Sequence, residues 1–284
     1  MAATYHPPGT RLLIGYARSI GTAFMRLGHM ITFFFRAAAA IPVMLRHYRT
    51  EFMRTLSDIA WGNGSIVVGG GTAGVIIVLG AAGGAIVGLE GYNALHLLGM
   101  EPAIGLVAST ASTRELAPIM ASLAFAAQAG CRFTAQLGAM GIAEEIDAME
   151  SMAIRSIPYL VSTKLLASVV AIVPLYLVCL AVNYLAVEFV VAASGGLSVG
   201  TYHHYFQLVL NGPDIVYSLL KAVVFVILTT TIQCYYGFYA AGGPQGVGIA
   251  AGRAMRAAIS VMIVVNLLLT IALWGIGASA RLGG

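Results

Sequence analysis

A serine in a glycine-rich segment is the first residue that could carry chemistry. Residues 196–200 read GLSVG, which fits the pattern G-x-S-x-G of a nucleophile elbow with Ser198 as the nucleophile. His203, His204 and Asp214 follow it and could complete a hydrolase triad. An elbow needs a strand, a sharp turn and a helix at a sheet edge, whereas this segment joins two apolar stretches. A loop turn is therefore the favoured interpretation, and an intramembrane serine hydrolase at Ser198 is the alternative.

The other short motifs do not predict a cofactor or metal site in this chain. Gly69, Gly71 and Gly74 match the dinucleotide pattern G-x-G-x-x-G, but they lie in an apolar stretch without the strand that such a site requires. The sequence has no G-x-x-x-x-G-K-[ST] loop and no H-E-x-x-H motif, and its three cysteines form no spaced pair. We expect no catalytic residue, cofactor, metal or nucleic-acid partner, and any ATP and Mg²⁺ would be bound by a partner ATPase.

Ionisable residues inside apolar stretches are a stronger signal. Arg114, Glu115 and Arg132 lie in the second such stretch, and Lys221 lies in the fourth. Each would cost roughly 2.5 to 3.5 kcal/mol if it faced lipid, so these side chains should face the protein interior. Pro118 lacks an N–H donor and should free backbone carbonyls near Arg114. Buried charge beside a kinked helix indicates a pathway or gate, and an ion pair that holds two helices together is the alternative.

The stretch Gly141–Arg155, which reads GIAEEIDAMESMAIR, is unusually acidic for this chain. On a helical wheel one side carries apolar residues, namely Ile142, Ile146, Met149 and Ala153. The other side carries the acids, namely Glu144, Glu145, Asp147 and Glu150. Anionic headgroups would repel such a face, so a short helix over about 141–155 that binds a cytoplasmic protein subunit, with Met149 in the same contact, is the favoured interpretation. A solvated loop helix is the alternative.

The elements that must position these residues are membrane-spanning helices. Hydrophobic residues make up 59% of the chain and charged residues 9%, and the mean hydropathy is +0.89. A bilayer core about 30 Å thick needs roughly 20 apolar helical residues to cross it. The sequence predicts an all-α integral membrane protein with five spans, at about 65–89, 103–135, 160–187, 215–240 and 257–277.

Glycines in the first span recur at four-residue intervals. They are Gly70 and Gly74, followed by Gly80, Gly84 and Gly88. Small residues at this spacing let two helices approach closely, because helix association in lipid depends on packing. A tight helix contact is therefore predicted, either within one chain or across a dimer.

The distribution of basic residues predicts the orientation. Residues 1–64 hold seven arginines, whereas the links 90–102 and 188–214 hold no lysine or arginine. Because basic residues favour the cytoplasmic side, we expect the N-terminus inside and the C-terminus outside the cytoplasmic membrane, with Arg281 as the one exception. The chain then divides into a basic cytoplasmic segment, 1–64, and a five-span membrane domain, 65–284.

Residues 30–45 are apolar enough to suggest a sixth span, but they contain Arg36 and Pro42. On a helical wheel several basic side chains point in nearly one direction, namely Arg11, Arg18, His29 and Arg36, with Arg26 about 80° away. Three apolar side chains point elsewhere, namely Met25, Phe33 and Phe34. This pattern favours an amphipathic interfacial helix with its basic face on the headgroups and its aromatic face in the acyl region. A true span with a snorkelling arginine is the alternative.

Three sequence runs carry a resemblance to a known family. They are RELAPIMASLAFAAQAG at 114–130, TAQLGAM at 134–140 and AEEIDAMESMAI at 143–154. With the matching order of spans, they resemble the MlaE/YrbE permeases, which are the membrane subunits of MCE-associated lipid ABC transporters. The second permease of actinobacterial MCE operons is the most similar type.

The resemblance implies a permease dimer that moves lipid or another hydrophobic molecule across or out of the cytoplasmic membrane. Its partners would be a cytoplasmic ABC ATPase, an identical or paralogous second permease, and MCE lipid-binding proteins on the outer side. Arg114, Glu115, Pro118 and Arg132 would then shape the lipid path. The chain departs from the family at three positions, namely Gln128, Gln136 and Arg132. A secondary transporter or channel that needs no ATPase is a further alternative.

Overall fold

The computed structural model describes residues 25, 27–60, 62, 71–194 and 197–275. These residues form helices and short connections and contain no strand, as expected for an all-α membrane protein. Five helical segments are long and apolar enough to cross a membrane, so the five-span prediction is confirmed. The segments are Gly71–His96, Glu101–Ile142, Ile157–Ser194, Gly212–Phe238 and Gly243–Trp274.

The smaller elements are numbered along the chain. Three short helices, α1 to α3, precede the first span, which is α4, and they cover Leu27–Ala39, Ile41–His47 and Arg49–Ala60. The second span comprises α5 to α7, at Ile104–Ala111, Ala117–Phe125 and Cys131–Ile142, and α8 follows at Glu145–Ser151. The remaining helices are α9 at Thr163–Ser194, α10 at Val199–Val209, α11 at Gly212–Phe238 and α12 at Gly243–Trp274.

Several helices extend beyond the predicted spans. Helix α9 continues to Ser194, and α10 lies within the link 188–214. The link therefore contains a packed helix, whose buried Tyr202 and Phe206 lie against Ile104 of α5. Helix α12 begins well before residue 257, since a helix that carries Arg253 and Arg256 can continue outside the apolar layer.

The second span is not a continuous α-helix. Two π-helical turns, Ser112–Leu116 and Ala126–Gly130, lie on either side of α6. Pro118 occupies the first turn of α6, where its missing N–H is tolerated best. A π-turn is rare and concentrates at functional sites, and the first of these turns contains Arg114 and Glu115.

Helices α4 and α9 pack closely through the glycines of α4. A Cβ atom added to Gly84 would lie 2.3 Å from the backbone oxygen of Asn183, and one added to Gly80 would lie 3.0 Å from that of Cys179. Gly88 faces Val190 in the same way. The close contact is therefore within one chain. Gly74 is half-buried, and Gly70 lies outside the described residues.

The N-terminal helices pack against the bundle. Helices α1 and α2 meet at an angle of 41°, and the bent pair would add a sixth crossing if it entered the membrane. Phe33, which was assigned to the acyl region, is instead buried against aromatic rings of α11, because Tyr235 and Phe238 provide an apolar site for it. Arg36 is exposed, whereas Arg11, Arg18 and Arg26 lie outside the described residues.

The five crossings alternate in direction, which defines two ends of the bundle. One end carries α8, helix α3 and the connection between α11 and α12, and we call it the α8 end. The opposite end carries α10, the start of α11 and the end of α12, and we call it the α10 end.

Candidate functional site

The main polar site joins the second, fourth and fifth spans near the α10 end. We call it the polar cluster, and it comprises Arg114, Glu115, Asp214, Lys221, Asn266, Thr270 and Trp274. Each ionised side chain in it has an oppositely charged partner on another helix. This arrangement reduces the cost of holding charge at membrane depth.

Glu115 and Lys221 form one half of the polar cluster. The ammonium nitrogen of Lys221 lies 3.1 Å from Glu115 Oε1 and donates to Thr270 Oγ1 at 2.8 Å. The other carboxylate oxygen of Glu115 accepts from Asn266 Nδ2 at 2.8 Å. The Lys221 side chain is fully buried, whereas that of Glu115 is 35% exposed. The cluster therefore presents an anionic group to its surroundings and keeps the cation inside.

Arg114 and Asp214 form the other half. The guanidinium Nη2 of Arg114 donates to Asp214 Oδ2 at 2.8 Å, and Trp274 Nε1 donates to Asp214 Oδ1 at 2.9 Å. The Arg114 guanidinium also lies over the Trp274 ring, 5.5 Å from its centroid, which is a favourable cation–π distance. Arg114 and Glu115 thus pair with different residues of α11, as their 100° separation on a helix requires.

Pro118 contributes to this geometry through the backbone. It has no N–H to donate to the carbonyl four residues earlier, which is that of Arg114. The Arg114 carbonyl instead accepts a hydrogen bond from Lys221 Nζ at 2.8 Å. The amine of Lys221 therefore bonds to both the backbone and a side chain of the second span.

Arg132 does not belong to the polar cluster. Its guanidinium donates to the backbone carbonyl of Asp58 in α3, at the α8 end. The four residues predicted for one path therefore occupy two separate places, because Arg132 lies about five helical turns from Glu115 along the same span. Gln136 is near Arg132 and accepts from Lys164 Nζ at 3.0 Å, and Gln128 is exposed.

The acidic stretch forms α8, a two-turn helix that is shorter than the predicted 141–155. Its acidic side chains are all exposed, namely Glu144, Glu145, Asp147 and Glu150. Ile146 is buried and Met149 packs against the core, whereas Ile142 is 39% exposed because it ends α7. Ala153 is also exposed, so the predicted apolar face was wrong at these two positions.

The backbone conformation and a side-chain hydrogen bond determine where α8 begins and ends. Glu144 and Ala153 both have positive φ angles, 57° and 60°, which are uncommon for residues other than glycine. Glu150 Oε1 accepts a hydrogen bond from Ser156 Oγ, so this carboxylate fixes the turn into the third span. The acids of α8 are therefore held on a defined surface at the end of the bundle.

Ser198 has a local structural role in the fold. It is the N-cap of α10, and its hydroxyl accepts from the backbone N–H of Thr201 at 3.2 Å. His203 pairs with Glu188 at 3.0 Å, and Asp214 belongs to the polar cluster. The residues proposed for a hydrolase triad thus bind other partners. Among the described residues no group of three His, Cys, Asp or Glu side chains could hold a metal ion.

The sequence interpretation missed three members of the polar cluster. Asn266, Thr270 and Trp274 follow one another at four-residue spacing on the last span, so they lie on one face of α12. This spacing of polar side chains within an apolar helix was a readable signal. Asp214 was considered only as part of a hydrolase.

The charged second span and the exposed acidic helix after it lie in a part of the sequence that is similar to known proteins. Residues 63–272 match the protein family described as Permease MlaE. The chain belongs to the MlaE permease family. It is therefore an ABC transporter permease subunit rather than an enzyme, and a multi-pass membrane protein.

Individual relatives agree with the assignment of this MlaE-family permease. It is 28% identical to a "Probable ABC transporter permease protein" of Rickettsia bellii (strain RML369-C) over 91% of this chain and 98% of that protein. It is 26% identical to the "Intermembrane phospholipid transport system permease protein MlaE" of Haemophilus influenzae, over 72% of this chain and 78% of the relative. It is also 32% identical to "Protein TRIGALACTOSYLDIACYLGLYCEROL 1, chloroplastic" of Arabidopsis thaliana, over 53% and 43% of the two chains.

Proposed function

We propose that this permease moves lipid through the cytoplasmic membrane, with energy from ATP that a separate cytoplasmic ATPase hydrolyses. The chain itself would hold no cofactor. The observation that carries the proposal is the polar cluster, in which charged groups of the second and fourth spans meet polar groups of the fifth span. The name of the Haemophilus relative, which includes phospholipid transport, supports a lipid as the substrate.

The polar cluster suits a molecule with a polar headgroup and apolar tails. Glu115 is partly exposed, and the buried Oδ1 of Asn266 has no hydrogen-bond partner among the described residues. A headgroup that carries donors could bind to these acceptors, while its tails remain against the apolar surfaces of the neighbouring helices. Arg114 and Lys221 would counter the charge of a phosphate that passes nearby.

The last span supports a second permease subunit, identical or paralogous. In its most apolar part only 11% of the residues are buried within the chain, although this helix supplies three members of the polar cluster. The exposed face of α12 is apolar, and the partly exposed carboxylate of Glu115 lies beside it. A protein surface would cover this combination at a lower free-energy cost than lipid would. Two such subunits would enclose the headgroup path between them.

Helix α8 would bind the ATPase. Its four acids are exposed, and it lies directly between the second and third spans, so a movement of the helix would reach both. With the ATPase bound at α8, the α8 end would lie in the cytoplasm, with the N-terminus inside and the C-terminus outside. MCE lipid-binding proteins would then take up or deliver lipid at the α10 end.

Co-purification tests the ATPase contact. We expect that Glu145→Lys combined with Asp147→Lys abolishes recovery of an ATPase with the tagged permease from native membranes. The matched control reverses two acids near the α10 end, Glu90→Lys with Glu101→Lys, and should leave recovery unchanged. Equal recovery of the ATPase with both double variants would contradict the proposed role of α8.

Reconstitution tests transport itself. The purified complex in liposomes should move a fluorescent phospholipid only when ATP is present and the ATPase is active. Glu115→Gln should reduce the transport rate while the ATPase remains bound. Transport by the permease without ATPase would instead favour the secondary transporter or channel.

A further inference from the structure

A second charged cavity lies at the α8 end, away from the polar cluster. Its volume is about 370 Å³, and it lies between α3, α7 and the start of the third span. Three cationic side chains line it, namely Arg54, Arg132 and Lys164. We call it the basic cavity. Arg132 lies 17 residues after Glu115 on the same span, which is roughly 25 Å along the helix axis.

The cations of the basic cavity form no ion pair with any of the described residues. Arg132 donates to the backbone oxygen of Asp58 rather than to its carboxylate, and Lys164 donates to the amide oxygen of Gln136. Arg54 forms no hydrogen bond with another described residue. Glu51 and Asp58 also line the cavity, yet none of the ion pairs among the described residues involves them.

This situation differs from that of the polar cluster, where each charge has a partner. With three cations and two carboxylates, the basic cavity has a formal charge of +1. Lys164 also lies 4.9 Å from the centroid of the Phe133 ring, which holds its ammonium group at the cavity wall. Two of these cations, Arg132 and Lys164, are held in place by neutral acceptors, and Arg54 is exposed. This arrangement is suited to an anionic ligand.

Part of the cavity wall is apolar. It includes Phe133 and Leu160, which are buried, and Met140 and Tyr159, which are half-buried. A soluble anion would leave this part of the wall without a contact. An amphiphile would place its phosphate against the cations and the first part of its acyl chain against the apolar wall.

We propose that the basic cavity binds the phosphate group of an anionic amphiphile, taken from the membrane leaflet at the α8 end. The proposal does not depend on ATP-driven transport, because it rests only on the charges and the shape of this cavity. The phosphate could also come from a soluble phosphomonoester, which has the same charged group without the tails.

Native mass spectrometry of the purified permease can test the site. The probe is phosphatidylglycerol, with phosphatidylcholine as the zwitterionic comparison. We expect Arg54→Gln combined with Lys164→Met to weaken phosphatidylglycerol binding roughly tenfold or more, as the loss of two charge-assisted contacts predicts. The matched control, Arg253→Gln with Arg256→Gln, removes two exposed arginines outside the cavity and should keep the wild-type affinity.

A gain-of-binding variant separates the proposal from simple damage to the fold. Glu51→Gln removes a negative charge from the cavity wall and should tighten phosphatidylglycerol binding several-fold, because repulsion of the phosphate is reduced. Weaker or unchanged binding by Glu51→Gln, or equal losses in the two arginine-containing double variants, would overturn the proposal. Glycerol phosphate is the soluble competitor: displacement only at high excess identifies the membrane lipid as the source, and displacement at equal concentration identifies a soluble phosphomonoester.

Discussion

The ammonium nitrogen of Lys221 lies 3.1 Å from Glu115 Oε1 and 2.8 Å from the backbone oxygen of Arg114. Lys221 is fully buried, so its charge depends on these two acceptors and on Thr270 for compensation. Glu115 depends less on its partner, because its side chain is partly exposed and Asn266 also donates to it. The two partners of one ion pair should therefore respond differently to substitution.

The first prediction concerns this pair. Glu115→Gln should destabilise the protein more than Lys221→Met does, because it leaves a buried cation without a counter-charge, whereas the reverse change leaves a carboxylate with neutral donors. The loss for Glu115→Gln should be about 1–3 kcal/mol, or about 2–4 °C in Tm for each kcal/mol. Thermal unfolding of both variants in detergent provides the measurement.

The double variant, Glu115→Gln with Lys221→Met, is the control for this prediction. It should lose less stability than the sum of the single variants by roughly 0.5–3 kcal/mol, because neither residue then lacks a partner. Strict additivity would show that the two side chains do not interact in the membrane.

A second prediction concerns the close approach of α4 and α9. Gly84→Ala should lower the free energy of unfolding by about 1–3 kcal/mol, since the new methyl group would overlap the backbone oxygen of Asn183. Gly252→Ala is the matched control, because it is helical, exposed and has no atom within 4 Å of the added Cβ. It should be neutral or slightly stabilising. Equal Tm values for the two variants would contradict the predicted overlap.

A third prediction separates the position of α8 from its charge. Ile146 is only 7% exposed, so Ile146→Ser should weaken the attachment of α8 to the bundle without changing the charge of the helix. We expect reduced recovery of the ATPase in co-purification. Ile142→Ser changes an exposed isoleucine nearby and should have no effect. A normal recovery with Ile146→Ser would show that the acids alone determine binding.

A fourth prediction concerns Ser198. Ser198→Ala removes the N-cap of α10 and should cost about 1 kcal/mol of stability, with no loss of lipid transport. A serine-reactive fluorophosphonate probe should not label Ser198 in the wild-type protein. Specific labelling that disappears in Ser198→Ala would revive the hydrolase interpretation.

The sequence was most informative where periodic patterns and lipid thickness dictate structure. The five spans were predictable because the thickness of the bilayer sets their length. The close contact of α4 was predictable because glycine has no side chain to keep a neighbouring helix away. The ends of the helices could not be predicted, because α9 and α12 continue beyond their predicted spans and α10 packs on another helix. Only tertiary contacts decide such boundaries.

The candidate site could be predicted only in part. Arg114 and Glu115 were conspicuous as charges in an apolar span, but their partners lie about 100 residues later on α11 and about 150 residues later on α12. No local pattern connects residues so far apart in the chain. Arg132 seemed equivalent to Arg114 because both lie in the second span, yet the length of that span places the two near different ends of the bundle.

Pro118 shows how one imino acid can act on a distant lysine. Because proline withholds a donor from the Arg114 carbonyl, the second span offers an oxygen that Lys221 can bind. In a helix with alanine at position 118, the N–H of that alanine could also donate to the Arg114 oxygen, and the amine of Lys221 would then compete with it for this acceptor. The backbone of one crossing thereby determines how firmly another crossing is held, without any change in the charged side chains themselves.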